Sequence, residues 1–249
     1  MATGKKLTYA QKSCVTSAGK LMQQTRMIEP GSRVGVAVSG GMDSFTLLEV
    51  LIQRQAIVPF DFELMVLHVN PGFDPGNHEP LKDFVAERGL AAHMEISDHG
   101  PRAHTDENRV NSPCFFCCRE RRKRLFELAR TYELSHLAFG HIADDLVTTF
   151  FLNLLQAGRV EGLAMKESFF KGKLTVIRPL MWMEKSAVRR AAKAWNLPVW
   201  ENPCPSAATQ GRAKIMDWLG DTWRDHPEIR GNIFGALRRL QLDTTMKKG

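Results

Sequence analysis

Short apolar runs alternate along the chain with longer stretches in which apolar residues recur every three or four positions, the signature of strands exchanging with amphipathic helices. The pattern predicts a leading helix over roughly Tyr9 to Met27, which stops before Pro30-Gly31. A strand at 33–38 and a helix at 43–54 follow. Next come a strand from Glu63 to Val69, a helix near 78–89 and a short strand near 91–96. The polar stretch 97–113 has no clear period and leads into a basic helix near 115–132. Strand 136–140, helix 142–157, strand 174–177 and helix 184–196 complete the alternation, and 205–249 reads as two helices broken by Gly and Pro.

Regular strand–helix alternation argues for an α/β fold, a doubly wound parallel sheet of five strands with helices on both faces. The expected organisation is an N-terminal helical segment over 1–30, a sheet domain over 31–204 and a small helical appendage over 205–249. There is no internal repeat and no low-complexity tract. In such sheets ligands bind beyond the C-terminal ends of the strands, at a topological switch point. Polar motifs stand at those ends: Ser39 to Ser44, His68 to Asn70, Gly140-His141 and Arg178-Pro179-Leu180.

The first motif, Ser39-Gly40-Gly41-Met42-Asp43-Ser44, lies between the apolar run Val34 to Val38 and a predicted helix. A glycine pair there frees backbone N–H groups to line a concave nest at a helix N-terminus, which holds phosphate through those donors and the helix dipole. The spacing of a Walker loop is absent. The plain alternative is a tight turn capped by serine or aspartate. Set in its strand–turn–helix context, S-G-G-x-D-S resembles the PP-loop of the ATP pyrophosphatases, which implies adenylation chemistry yielding AMP and pyrophosphate.

Three of the five cysteines fall within Cys114-Phe115-Phe116-Cys117-Cys118, and crowding of that kind reads as metal or redox chemistry, not as a disulfide framework. The C-x-x-C unit fits a redox pair, half of a zinc site or part of an iron–sulfur site. A second C-x-x-C is absent, and the remaining candidate partner is Cys204, in Glu201-Asn202-Pro203-Cys204-Pro205. Three thiolates suit a 4Fe-4S cluster with one iron left open, while the alternative is a buried structural thiol beside an incidental pair.

Charge and composition narrow the picture further. The net charge of +7 is concentrated in Arg119, Arg121, Arg122, Lys123 and Arg124, directly after the cysteines, which suits a polyanionic partner. A second group, Arg189, Arg190 and Lys193, reads equally well as a solvated helix face. No segment has the apolar length of a membrane span and the N-terminus has no apolar leader, so a cytoplasmic location without membrane association is the expectation.

Taken in order, Met27 to Gly31, the nest, the C-x-x-C with its basic helix, Gly140-His141-x-x-Asp144-Asp145, Ile177 to Leu180 and the late Cys204 resemble the TtcA family of tRNA 2-thiocytidine synthetases over about residues 8 to 240. The resemblance implies a PP-loop, adenine-nucleotide-hydrolase-like fold and the cofactors ATP, Mg²⁺ and a 4Fe-4S cluster. It also implies tRNA as partner, a sulfur donor such as a cysteine desulfurase, and leaves a homodimer open. The implied cluster ligands are Cys114, Cys117 and Cys204. ATP would meet Ser39, Gly40, Gly41, Asp43, Ser44, His68, Gly140, His141 and Arg178, with Mg²⁺ on Asp43. Asp144 or Asp145 would complete the metal shell or position the pyrimidine, unless they only cap a helix. Arg178 would neutralise the α-phosphate or anchor the tRNA backbone, and the basic run Arg119 to Arg124 would bind RNA. Three departures stand out: Met42 where the family has lysine, Asn70 where it has aspartate, and Cys118 where it often has serine. The alternatives are a lysidine synthetase, thiolation of a small metabolite, and a non-catalytic RNA- or nucleotide-binding module with structural zinc.

Overall fold

The computed structural model describes residues 6–109, 112–206 and 211–247. The strands are β1 (Arg33–Ala37), β2 (Glu63–Asn70), β3 (Ala91–Ile96), β4 (His136–Phe139), β5 (Lys166–Phe169) and β6 (Leu174–Ile177). The helices are α1 (Tyr9–Gln24), α2 (Met42–Gln55), α3 (Glu79–Glu87), α4 (His99–Arg102), α5 (Pro113–Thr131), α6 (Ala143–Ala157), α7 (Lys185–Trp195), α8 (Gly211–Asp225) and α9 (Pro227–Lys247).

The strands form one six-stranded sheet in the order β3-β2-β1-β4-β6-β5. All neighbours are parallel except β5, which runs antiparallel to β6. The expected five-stranded parallel sheet is therefore corrected by one strand. β5 reads Lys-Glu-Ser-Phe and sits half-exposed at the sheet edge, where pairing, not burial, defines it, so it carries no apolar signal. Phe170, Lys171 and Gly172, all at positive φ, turn the chain from β5 into β6. The polar stretch before the cysteines also contains the short helix α4.

The chain leaves β1 for β2 and β3 on one side, then returns to lay β4 on the other, so the switch point lies between β1 and β4. Val36 stands fully buried there, in register with Val66 of β2 and Ala138 of β4. Beside it, a β-carbon on Gly35 would come within 2.7 Å of Leu134 and 3.0 Å of Leu67. That closeness lets Leu125, Leu128 and Leu137 close a compact layer under α5. The other layer packs α1, α2 and α7 together. Cys14, Val15 and Leu21 of α1, and Leu219 and Leu237 of α8 and α9, belong to this same core. Among the described residues no helix is long and apolar enough to cross a membrane.

Candidate active site

The S-G-G-x-D-S turn folds at the switch point as a locally closed unit. Ser44 Oγ donates to Gly41 O at 2.7 Å and accepts from the Ser39 N–H at 3.1 Å, so the two serines pin the loop across its mouth. Gly40 sits at φ +91°, and a β-carbon there would strike the Trp200 ring at 2.1 Å. Gly140, at the end of β4, needs its missing side chain equally: a β-carbon would lie 2.9 Å from the Asp43 carbonyl and the Ser44 nitrogen. The Met42 and Asp43 N–H groups at the start of α2 have no partner inside the helix, while those of Ser44 and Phe45 go to Gly41 O at 3.1 and 3.2 Å, and the turn opens on a cleft of about 240 Å³. Ser39, Gly41, Asp43, Ser44, Gly140 and His141 line it, together with Val69 and Asp145.

One carboxylate oxygen of Asp43 is 2.7 Å from Lys185 Nζ, while the other is buried without a hydrogen-bond partner. Such an orphaned anionic oxygen beside a phosphate-shaped nest is a donor set that fits Mg²⁺. Lys185 was not singled out in the sequence. It opens α7, the end of a helix where the dipole disfavours a cation, and that mismatch was the available signal. The Asp144 carboxylate accepts from the Lys185 backbone N–H at 2.7 Å and so ties α6 to α7, whereas Asp145, which caps the Ile142 N–H at 2.9 Å, is the one on the cleft wall.

His68 lies under the nest at 1% exposure, its Nδ1 2.7 Å from Val38 O. Burial lowers its pKa to about 4, so the ring is neutral and Nδ1 carries the proton it donates. It therefore holds the loop from behind. Asn70 is fully buried and donates to Asp74 O at 2.9 Å and to Asn77 Oδ1 at 3.0 Å. An aspartate could make neither bond, which explains the amide at this position.

A second cavity, of about 610 Å³, adjoins the cleft and shares Arg121, Leu125, Phe139 and His141 with it. Cys114, Phe115, Cys118, Arg122 and Arg178 line the rest. Cys114 and Cys117 lie in the first and second turns of α5, which Ser112 caps through the Phe115 N–H at 3.4 Å. The Cys204 segment reaches them from the far side, with Cys114 Sγ 3.8 Å from Ser206 O. Burial pushes the Cys117 thiol up to about 11, against the pull of Arg121, with Cys118, Cys204 and Cys114 adding to the rise. The four sulfurs thus share one neighbourhood. An isolated thiolate is disfavoured there, and a thiophilic cation would relieve it, so the donor chemistry fits a metal cluster. Among the described residues, no three His, Cys, Asp or Glu side chains yet stand at metal-ligand spacing. Of the adjacent pair, Cys118 is the exposed thiol on the cavity wall and Cys117 the more buried one.

Arg178 is found at the floor of this second cavity, not at the nest. It donates to Ala164 O at 2.5 Å, keeps a buried, unpartnered Nε–H, and has its pKa lowered to about 10, chiefly by burial. It remains a cation at neutral pH. The basic run divides. Arg124 is bound by Glu95 at 2.7 and 2.9 Å and by Glu127, and Arg119 pairs with Glu120 over the Phe116 ring. Among the described residues, no carboxylate pairs with Arg121, Arg122 or Lys123.

Comparison with known proteins agrees with this geometry. A family model described as a PP-loop domain matches residues 11–215. A tRNA-cytidine(32) 2-sulfurtransferase of Syntrophotalea carbinolica is 34% identical over 235 residues, covering 92% of this chain and 91% of the relative. The enzyme of that name from Bordetella pertussis is 34% identical, over 86% of this chain and 67% of its own. Among solved structures, the U34-tRNA thiolase NcsA from Methanococcus maripaludis, with its 4Fe-4S cluster, superposes with a TM-score of 0.74 at 22% identity, covering 96% of this chain and 86% of its own. An NH₃-dependent NAD synthetase from Campylobacter jejuni superposes at 0.52 with 15% identity, covering 97% of each chain. Those two likenesses concern the fold. By the sequence match, the chain belongs to the PP-loop family and, within it, to the tRNA-cytidine(32) 2-sulfurtransferases.

Proposed function

We propose that this chain is an ATP-dependent tRNA sulfurtransferase that activates O2 of a cytidine in the anticodon loop and replaces that oxygen with sulfur, working in the cytoplasm with a donor such as a cysteine desulfurase. The observation that carries the reading is the continuity of the phosphate nest with a cavity lined by cysteines and arginines.

A pyrimidine carbonyl oxygen is a poor leaving group, and adenylation makes it a good one. In the proposed sequence, O2 attacks the α-phosphorus of ATP and pyrophosphate departs. A sulfur nucleophile then adds at C2, and the C2–O2 bond breaks as AMP leaves. The N–H groups opening α2 bind the departing pyrophosphate, on a loop that the Ser39 and Ser44 hydroxyls hold in shape. Asp43 would hold Mg²⁺, for which its unpartnered oxygen is the available donor, and Lys185, 2.7 Å from the other oxygen, stands beside the nest as a fixed positive charge for phosphate. Lys185 thereby supplies the cation that Met42 does not. His141 lies on the shared wall and Asp145 on the cleft beside it, where the reacting carbonyl would lie. Cys114, Cys117 and Cys204 would hold a 4Fe-4S cluster, whose chemistry when bound is to present sulfur to the activated carbon. Arg121 and Arg122 at the cavity mouth attract the RNA backbone, and an unpaired loop base can be splayed into the 610 Å³ space.

The test is direct. Anaerobically purified protein should be brown, release pyrophosphate from ATP only when unmodified tRNA is added, and yield 2-thiocytidine on nucleoside mass analysis. Colour and thiolation should both vanish in Cys117→Ala. Colourless protein with stoichiometric zinc and no RNA-dependent pyrophosphate release would overturn the proposal.

A further inference from the structure

The nest binds anions only while its N–H groups face the cleft, which requires the carbonyls of the same loop to be held on the opposite side. Each of those carbonyls has an identifiable donor. Val38 O takes His68 Nδ1–H at 2.7 Å, Ser39 O takes the Asn202 amide at 3.4 Å, Gly40 O takes the Trp200 N–H at 3.1 Å, and Gly41 O takes the Ser44 hydroxyl at 2.7 Å. Two of the four donors come from one distant segment, Trp200 to Cys204. That segment also presses the Trp200 ring onto Gly40, where it packs edge-on against Phe45 at 5.5 Å and His68 at 5.8 Å.

The Asn202 amide is itself oriented. Its oxygen accepts from Asn77 Nδ2 at 2.7 Å, and Asn77 Oδ1 accepts from the buried Asn70 at 3.0 Å. With the oxygen committed to Asn77, the nitrogen is left to face Ser39 O. Three asparagines on three segments thus form a relay from the end of β2 to the back of the nest.

We propose that the Trp200–Cys204 segment is a strap that shapes the nucleotide site, with Asn202 as its positioning residue and Asn77 as the group that orients it. The strap rests on the reading of the nest as an ATP site, and it gives the segment carrying Cys204 a second task besides presenting its thiol. Asn202 touches neither nucleotide nor reacting atoms, and acts through the Ser39 carbonyl.

Asn202→Asp keeps the acceptor for Asn77 but turns the donor to Ser39 O into a charged acceptor, so it is read beside Asn202→Ala, which removes the donor without adding charge near the nest. Titration calorimetry of the full chain with Mg·ATP should show the parent binding, Asn202→Ala binding about fivefold more weakly, the scale of one neutral hydrogen bond, and Asn202→Asp binding no better than Asn202→Ala. KM for ATP should rise with kcat nearly unchanged, and the brown colour should persist. Asn77→Asp, which frees the Asn202 amide to rotate, should give a smaller loss in the same direction, and it is read in place of Asn202→Asp if that variant fails to fold. Unaltered Mg·ATP affinity in the folded variants, whether or not their melting temperatures fall, would overturn the strap. A parent chain that binds no Mg·ATP would instead overturn the reading of the nest.

Discussion

The two cavities share a wall but are built on different principles. The nest is braced by its own loop and the segments behind it: its serines bond each other and its carbonyls are held from behind. The cysteine cavity is larger and looser. Cys114 and Cys118 line it from α5, the Cys204 segment reaches its edge at Ser206, and among the described residues the sulfurs do not meet at ligand spacing. A phosphate site made of backbone can be finished by folding alone, because amides need only direction. A site made of thiols gains its final geometry from what binds, because unneutralised thiolates repel each other and resist burial.

This contrast predicts separable failures, and the sharpest is at Asp43. Asp43→Asn keeps the size of the side chain and removes the charge that would hold Mg²⁺. RNA-dependent pyrophosphate release should fall about 10²- to 10³-fold, in keeping with the loss of one preorganised electrostatic group. The brown colour should be unaffected, since the thiols lie in the other cavity. Loss of colour together with activity would mean that the two regions are one cooperative unit.

A second test uses acid. His68 is neutral when folded, with its pKa lowered from 6.5 to about 4, whereas in the unfolded chain it titrates normally. Between those values the unfolded state binds more protons, so stability is full above pH 6.5 and is lost as pH falls toward 4. The loss from this one group amounts to about 2 kcal/mol by pH 5 and about 3 kcal/mol at pH 4. Urea unfolding at pH 7.5 and pH 5 measures it. His99 and His136 are shifted in the same direction by burial, so the comparison with His68→Gln isolates the share that belongs to the nest. Equal slopes in parent and variant would remove His68 from that role.

How much of this was readable beforehand follows from the same contrast. The nest is six consecutive residues after an apolar strand, and its chemistry is local, so the sequence displays it whole. Five of the six strands and the long helices showed through their periodicity, whereas β5, a charged edge strand, did not. What hid were partners supplied from afar. Lys185 reaches Asp43 across 142 positions, and Asn77 reaches Asn202 across 125. The basic run looked uniform because charge density says nothing about which arginines a carboxylate has already claimed. Glu95, 29 positions from Arg124, made that choice. Asn70 looked like a lost carboxylate until its buried amide was seen to hold the turn from Asp74 to Asn77.

Arg122 offers the gentlest test and the one most specific to the second cavity. It is exposed, lines the thiol cavity and, among the described residues, has no carboxylate partner, whereas Arg124 on the same helix is held by two. If tRNA enters over this surface, Arg122→Ala should weaken tRNA binding severalfold and lower the slope of log affinity against log salt by about one, with Mg·ATP affinity unchanged. Arg124→Ala should leave that slope alone and reduce stability instead, because Glu95 would keep only His93 as a partner. Filter binding at several salt concentrations, with thermal melts of both variants, separates the two roles. The same salt slope in both variants would mean that RNA does not use this face of α5, and that the division of the basic run into committed and available arginines carries no functional meaning.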